Sequence, residues 1–373
     1  MKIPLLDLKA QYERIKDEVQ RAIFSVLETQ QFVLGEKVAK FEDEIAKYVG
    51  VKHAIGVASG SDALLLAYMS LGLKEGDEII TSPFTFFATA SSAARLGIKV
   101  VFADIREDTF NISVDSLRER ITSNTKAIVP VHIFGQPADM DKIMEVSDSM
   151  GIPVVEDLAQ AIGAKYENKK VGSFGLVNCV SFFPSKNLGG YGDGGAVLTN
   201  DDILAKKVRV LRVHGSSERY YHEFLGINSR LDEIQAAVLL VKIKYLDLWN
   251  EERRSRANYY NYLFKEASLD EFLIPPVELE RCYHVYHQYV VRVKDRDELR
   301  SYLAEKGIST QVYYPLPLHL QPCFSGWGYK RGYCPIAEKV CDEVLALPMY
   351  PELSPSMQEY IVESIANFYG KRI

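Results

Sequence analysis

Apolar positions recur along this chain at two different periods, and the switch between them sets the architecture. Near the N-terminus Ile15, Val19, Ala22, Ile23 and Val26 return every three or four residues with charges between them, the pattern of an amphipathic helix. Val38, Phe41, Ile45 and Val49 repeat that spacing, and Gly50 supplies a stop. From residue 54 onward, short apolar runs alternate with longer helical stretches. Ala54–Ala58, Glu78–Thr81, Val100–Ala103, Ala127–Val131 and Ile152–Glu156 read as buried strands. Ala63–Leu71, Phe86–Leu96 and Met140–Met150 read as helices, the last closed by Gly151. Such alternation predicts crossover connections, hence an α/β fold with a mostly parallel sheet flanked by helices on both faces.

After Asp201 the pattern turns helical and includes a long segment, Leu231–Arg256, suited to bridging two units. Beyond it, Tyr289–Val293 reads as a strand, Asp295–Lys306 as a helix ended by Gly307, and Ile308–Tyr313 as a further strand. The expected division is a large domain over residues 1–250, including the N-terminal helices, and a smaller α+β domain over residues 251–373. No internal repeat or low-complexity segment interrupts this plan.

Composition narrows the partners without changing the fold. Hydrophobic residues make up 47% and charged residues 25% of the 373, ordinary values for a globular chain with ample core. A net charge of -6 gives no support to nucleic acid or an anionic membrane as partner, so a small anionic substrate would need local positive groups. The cysteines, Cys179, Cys282, Cys323, Cys334 and Cys341, are odd in number and form no Cys-x-x-Cys pair, which argues against a disulfide framework and for a reducing cytoplasm. Pro4 and Asp7 interrupt the N-terminus before a signal-peptide core develops, and no apolar run is long enough to span a bilayer.

The chemistry concentrates in Ser181-Phe182-Phe183-Pro184-Ser185-Lys186-Asn187-Leu188-Gly189-Gly190-Tyr191-Gly192-Asp193-Gly194-Gly195. The apolar runs Val177–Phe183 and Ala196–Thr199 flank it, so a lysine sits between two strands in a glycine-rich connection. A lysine among apolar and small residues can lose its proton and attack a carbonyl, here that of pyridoxal phosphate; the alternative is a solvated hairpin residue. The glycines lead into a strand, which sets aside a dinucleotide-binding fingerprint, since that motif opens a helix.

Three strand ends add to this. In Ser59-Gly60-Ser61-Asp62 a strand hands over to a helix, either as a phosphate seat or as an ordinary N-cap. Glu156 and Asp157 directly follow a buried strand, where acids are costly unless they meet a cation. Asp157 suits a pyridinium nitrogen, with Glu156 on the opposite face; a magnesium-binding acid or a structural ion pair remains open. In Pro83-Phe84-Thr85-Phe86-Phe87 an aromatic can stack on a planar cofactor or simply join the core.

With Ser59-Gly60-Ser61-Asp62-Ala63-Leu64, Glu156-Asp157-Leu158-Ala159-Gln160, Ser181 to Lys186, Gly192-Asp193-Gly194-Gly195 and Gly226-Ile227-Asn228-Ser229-Arg230-Leu231-Asp232, the chain resembles the DegT/DnrJ-type nucleotide-sugar aminotransferases over nearly its whole length. The resemblance implies fold type I, as in aspartate aminotransferase, and pyridoxal 5'-phosphate as cofactor, alternating with pyridoxamine 5'-phosphate. It implies Lys186 as the Schiff-base lysine and proton shuttle, Asp157 at the pyridine nitrogen, Gln160 at the ring hydroxyl and Phe86 stacked on the ring. Gly60, Ser61 and Ser181 would hold the phosphate, joined by Asn228 of a neighbouring subunit in a homodimer with composite sites. Arg230, Tyr313, Tyr314 and His319 would lie where the sugar nucleotide enters, and no metal is implied. Ser61 stands where threonine is commoner, Leu158 where alanine is, and Tyr313 where histidine is frequent. The details look most like enzymes that move an amino group from an amino acid, glutamate, to C3 of a UDP-linked 2-acetamido-3-keto sugar or its uronate. Amination of 3-keto or 4-keto deoxysugars on dTDP is the alternative, and a regulatory protein without turnover is a further one that the lysine, aspartate and glutamine disfavour.

Overall fold

In the computed structural model, which describes residues 1–371, the apolar runs assemble into one twisted sheet. Its strands run in the order His53–Val57, Gly195–Thr199, Val177–Ser181, Val155–Asp157, Thr125–Val129, Glu78–Thr81 and Lys99–Phe102. A four-stranded and a three-stranded part are joined where Ile128 bridges Val154 and Val131 bridges Asp157. All are parallel except Gly195–Thr199, which runs against both neighbours, so Val57 and Ser181 each pair with Gly195. Glu78–Thr81 is buried at every position, as a strand covered on both faces must be.

Helices cover the two faces. Glu36–Val49 packs Phe41 and Ile45 against Val180 and Leu198, and Gly50 closes it in a left-handed conformation, as expected from sequence. Gly60–Ser70 places Leu66 and Ala67 in the other core layer. Within this frame Glu42 is buried, accepting from Gly56 N at 2.8 Å, Arg212 at 2.5 Å and Arg209 at 2.8 Å.

Beyond the helix Leu246–Glu266 lies a second, antiparallel sheet of Leu273–Ile274, Tyr289–Val293 and Val344–Leu347. One apolar cluster runs from Ile55 in the main sheet to Ile365 in the C-terminal helix Pro355–Phe368. The strand and helix expected over 289–306 are present, as Tyr289–Val293 and Arg296–Glu305.

Several local expectations are corrected. Leu231–Arg256 divides into Glu233–Lys242 and Leu246–Glu266 around a 3-10 turn at Ile243–Tyr245. Phe86–Leu96 shrinks to a helix over Ala88–Ala94, because residues 82–87 are turns held by Ser82 Oγ on Phe84 N. Ile308–Tyr313 forms no strand; it keeps only single bridges, Ile308 to Ile3 and Gln311 to Ala346, before Pro315 and Pro317 redirect the chain. The helix Val114–Arg120 offers only Val114 and Leu117 as periodic apolar positions, too few to be read from sequence, whereas Pro335–Glu343 carries Ile336, Ala337, Val340 and Cys341 at helical spacing and was readable. No helix among the described residues is long and apolar enough to cross a membrane.

Candidate active site

The carboxyl ends of the parallel strands meet at one edge of the sheet, where open α/β folds gather ligands. At that edge His53–Val57 hands over to Gly60–Ser70, and Ser59 Oγ caps the helix by accepting from Asp62 N at 3.1 Å. Capping and anion binding are therefore not exclusive here: the amides of Gly60 and Ser61, in the first turn, have no intrahelical acceptor. Space decides why glycine stands at position 60. A Cβ there would lie 2.6 Å from the Cβ of Ser181, and one at Gly195 would lie 2.5 Å from the Ser59 carbonyl carbon. The helix start, Ser181 and the antiparallel strand are thus pressed together into a cradle.

Strand alternation sends Glu156 and Asp157 to opposite sides. Asp157 faces the edge cavity, with Oδ2 accepting from Thr89 Oγ1 at 2.8 Å and Oδ1 from Ala159 N at 3.1 Å. Burial raises its carboxyl above the ordinary range against those bonds and the nearby Lys186, so a cation beside it would be strongly favoured. Glu156 turns away and is satisfied structurally. It accepts from the amides of Phe174 at 2.7 Å, Gly175 at 2.8 Å and Gly172 at 2.7 Å, and pairs with His132 Nε2 at 3.0 Å. Burial alone would raise this carboxyl; the bonds from His132 and the backbone hold it below the usual value.

Lys186 lies in the connection between Val177–Ser181 and Gly195–Thr199. Its loop is fixed by Lys186 N to the Phe183 carbonyl, Gly190 N to the Phe182 carbonyl, and Lys242 Nζ to the Gly189 carbonyl at 2.5 Å. The residue is half-buried and lines the cavity, and desolvation pushes its amine down to about 8 while Asp157 opposes the shift. A substantial neutral fraction near physiological pH is what a carbonyl nucleophile requires.

These groups line one cavity of about 400 Å³. Gly60, Ser61, Phe86, Asp157, Gln160, Ser181, Lys186, Tyr313 and Tyr314 all border it. Gln160 is clamped there: its Oε1 accepts from Phe134 N at 2.8 Å and its Nε2 donates to Tyr314 Oη at 3.0 Å. Phe86 stands 58% exposed beside the opening, free to cover a planar ligand instead of filling the core. Asn228, Arg230 and His319 lie outside this chain's cavity. Asn228 is exposed and bridges Val213, whereas His319 is buried, bonded to Glu338 at 2.9 Å and packed near Phe102, Tyr329 and Tyr333. In this chain alone His319 does not border the cavity, and its ring joins an aromatic cluster.

Sequence reasoning missed other wall residues. Asp193 was within reach, sitting inside a quoted glycine motif; Phe134, His287 and Gln288 carry no local signal and arrive by tertiary folding. The amide cradle, the buried carboxylate and the depressed lysine, lining one cavity of this size, fit pyridoxal phosphate. No group of three or more metal-ligating side chains occurs among the described residues.

Comparison with known proteins agrees with the geometry. Residues 13–366 match the model of the DegT/DnrJ/EryC1/StrS aminotransferase family. The chain is 53% identical over 369 residues, 99% of both chains, to a protein of Geobacillus stearothermophilus named pleiotropic regulatory protein. It is 42% identical over 351 residues, 94% of both, to UDP-N-acetyl-3-dehydro-alpha-D-glucosamine 3-aminotransferase of Acidithiobacillus ferrooxidans. Among solved structures, S. venezuelae DesV in complex with a ketimine intermediate superposes with a TM-score of 0.95 at 40% identity, over 98% of each chain. The chain belongs to the DegT/DnrJ/EryC1/StrS aminotransferase family, whose members are pyridoxal phosphate enzymes of fold type I.

Proposed function

We propose that this protein transfers an amino group from an amino acid, L-glutamate, to a keto sugar carried on a nucleoside diphosphate, at C3 of a UDP-linked 2-acetamido-3-keto sugar or its uronate. The observation that carries the reading is that Lys186, Asp157, Gly60 and Ser61 all line one cavity, with the helix start at Gly60 pressed against Ser181. When bound, pyridoxal phosphate supplies a carbonyl that receives nitrogen and a ring that withdraws electrons from the substrate carbon. In this assignment the Gly60 and Ser61 amides and the Ser181 hydroxyl hold the phosphate, Asp157 keeps a proton on the ring nitrogen, and Gln160 donates to the ring hydroxyl. Phe86 covers one ring face. Lys186 would hold the cofactor and, once displaced, would carry the proton between the substrate carbon that bears nitrogen and the carbonyl-derived carbon of the cofactor, for which an amine near neutrality is suited.

Tyr313 and Tyr314 border the side of the cavity assigned to the sugar. Asn228 and Arg230 are assigned to the cavity of a second copy, so that a homodimer completes two sites. Exposed apolar residues around Asn228, including Tyr220, Tyr221, Phe224 and Leu225, support that assembly. His319 is assigned to bracing the 313–320 segment.

The UDP sugar is favoured by relatives named for UDP-linked 3-oxo or 3-dehydro sugars, while relatives named for dTDP-linked amino sugars keep that class as the competing acceptor. Incubation with glutamate and a panel of UDP- and dTDP-keto sugars, read by mass and NMR, decides between them. Failure to aminate any member refutes the enzyme reading. The name of the Geobacillus relative favours a second reading, a regulator that binds the cofactor without turnover. Intact Lys186, Asp157 and Gln160 support turnover instead.

A further inference from the structure

The short helix Ala88–Ala94 bonds to two separate parts of the site. Its Thr89 is buried and donates from Oγ1 to Asp157 Oδ2 at 2.8 Å. Ser92, three residues on and so on the same helix face, donates from Oγ to the Ser61 carbonyl at 3.0 Å. Tyr68, on the helix that begins at Gly60, donates from Oη to the Thr89 carbonyl at 3.1 Å. Thr89 is thereby held from the helix of the phosphate seat while it holds the carboxylate assigned to the ring nitrogen. A carboxylate only accepts, so the Thr89 proton points at Asp157, and in the 3.4 Å contact with Thr85 Oγ1 the donor is Thr85. The Ala159 amide donates to Oδ1 at 3.1 Å. Each carboxylate oxygen is thus pinned by one donor, and acceptor sites remain for a cation entering the cavity. The Asp157 backbone is fixed independently, by its N–H on the Pro130 carbonyl at 2.9 Å and its carbonyl accepting from His132 N at 3.0 Å.

Resting on Asp157 as the acid at the ring nitrogen, we propose that Thr89 is a positioning residue whose hydroxyl keeps the Asp157 carboxylate ionised and directed at that nitrogen. Burial raises the Asp157 carboxyl, and the Thr89 hydroxyl is foremost among the groups that oppose it, ahead of the Ala159 amide, Lys186 and His132. Tyr68, Cys179 and Tyr314 also lie near this carboxylate; burial pushes all three up, so they stay neutral and supply no compensating charge. Without the hydroxyl, a carboxyl buried to this degree takes up a proton of its own more readily, and a neutral acid no longer favours a protonated ring. Valine at this position has nearly the same shape as threonine and lacks only the donor.

The test uses the full-length chain freed of cofactor, labelled with carbon-13 at its aspartate carboxyl groups and titrated by NMR from about pH 5 to 9. The Asp157 signal is the one missing from Asp157→Asn. Thr89→Val is expected to raise its midpoint by about one unit, a tenfold lower ratio of carboxylate to acid at a given pH. Thr89→Ser restores the donor without the methyl and is expected to bring the midpoint back, which a change of packing alone would not do. An unchanged midpoint in Thr89→Val overturns the proposal. A lowered one does too, because that is the effect of water entering a loosened wall. A midpoint that stays raised in Thr89→Ser likewise overturns it, since shape and not the hydroxyl is then responsible. If Thr89→Val does not fold, Thr89→Ser and Thr89→Cys, alike in shape and differing in donor strength, give the comparison; a higher midpoint with cysteine is expected, and equal midpoints overturn the proposal. Absence of a visible band on adding pyridoxal phosphate to the wild-type chain would instead strike the reading of the site, leaving the titration to report on Thr89 alone.

Discussion

Replacing Glu156 by glutamine changes one oxygen to an amide nitrogen in a fully buried site. The carboxylate takes four donors: Phe174 N and Gly175 N on Oε1, Gly172 N and His132 Nε2 on Oε2. His132 cannot escape by changing tautomer, because its Nδ1 already accepts from Ala138 N at 3.0 Å, so Nε2 must carry the proton. Glutamine can satisfy one pair of donors and sets its own N–H groups against the other pair. Two buried donors left unpaired, at about 1–3 kcal/mol each, cost roughly 2–6 kcal/mol. At about 1.3 °C per kcal/mol for a chain of 373 residues the thermal midpoint falls by roughly 3–8 °C. Circular dichroism melts of wild type and Glu156→Gln, each with and without cofactor, measure this. A fall smaller than about 2 °C would refute the claim that these four bonds hold the strand end on which Asp157 sits. The pH dependence has a definite sign. The Glu156 carboxyl is depressed in the fold, so its contribution is present above the ordinary carboxylate range and is lost as pH drops through the folded value. The variant therefore shows a shallower loss of stability in acid.

Three further outcomes are expected. Lys186→Ala abolishes the visible band formed on adding pyridoxal phosphate and lowers amination about a thousandfold or more; a persistent band would mean that another amine holds the cofactor. Glu42→Ala strands the buried Arg212 and lowers stability by about 3–5 kcal/mol in urea, whereas exchanging both partners for apolar residues recovers most of it; equal losses in the two constructions would contradict the pairing. Lys242 is held by burial at about 8, below the unfolded value, so its charge opposes folding below that pH and the penalty fades as pH rises toward about 10. Urea midpoints of wild type rise between pH 8 and 10, and Lys242→Met flattens the rise; an unaltered slope would show that Lys242 does not titrate there.

The parallel sheet was legible because its strands are buried on both faces and carry short apolar runs, as Ile79-Ile80 and Ala127-Ile128-Val129 illustrate. The segment 308–313 misled because its apolar residues serve packing between sheets, with Ile308 bridging Ile3, and not a ladder. Chain-local chemistry was equally readable: Lys186, Asp157 and Ser59-Gly60-Ser61 announce themselves as residues costly or unusual where they stand. Phe134 and His287 do not, since an aromatic and a histidine in otherwise apolar surroundings look like core until the fold turns them toward a cavity.

The antiparallel strand Gly195–Thr199 carries a consequence for biogenesis. It can enter the sheet only between two strands already made, one of them at the very start of the alternating pattern, and only then do Ser181 and Gly60 come into contact. The remaining wall waits for Tyr313 and Tyr314, near the end of translation. A growing polypeptide on the ribosome thus has no enclosed pocket to offer until most of its length has emerged, and vitamin capture becomes one of the last events in its maturation.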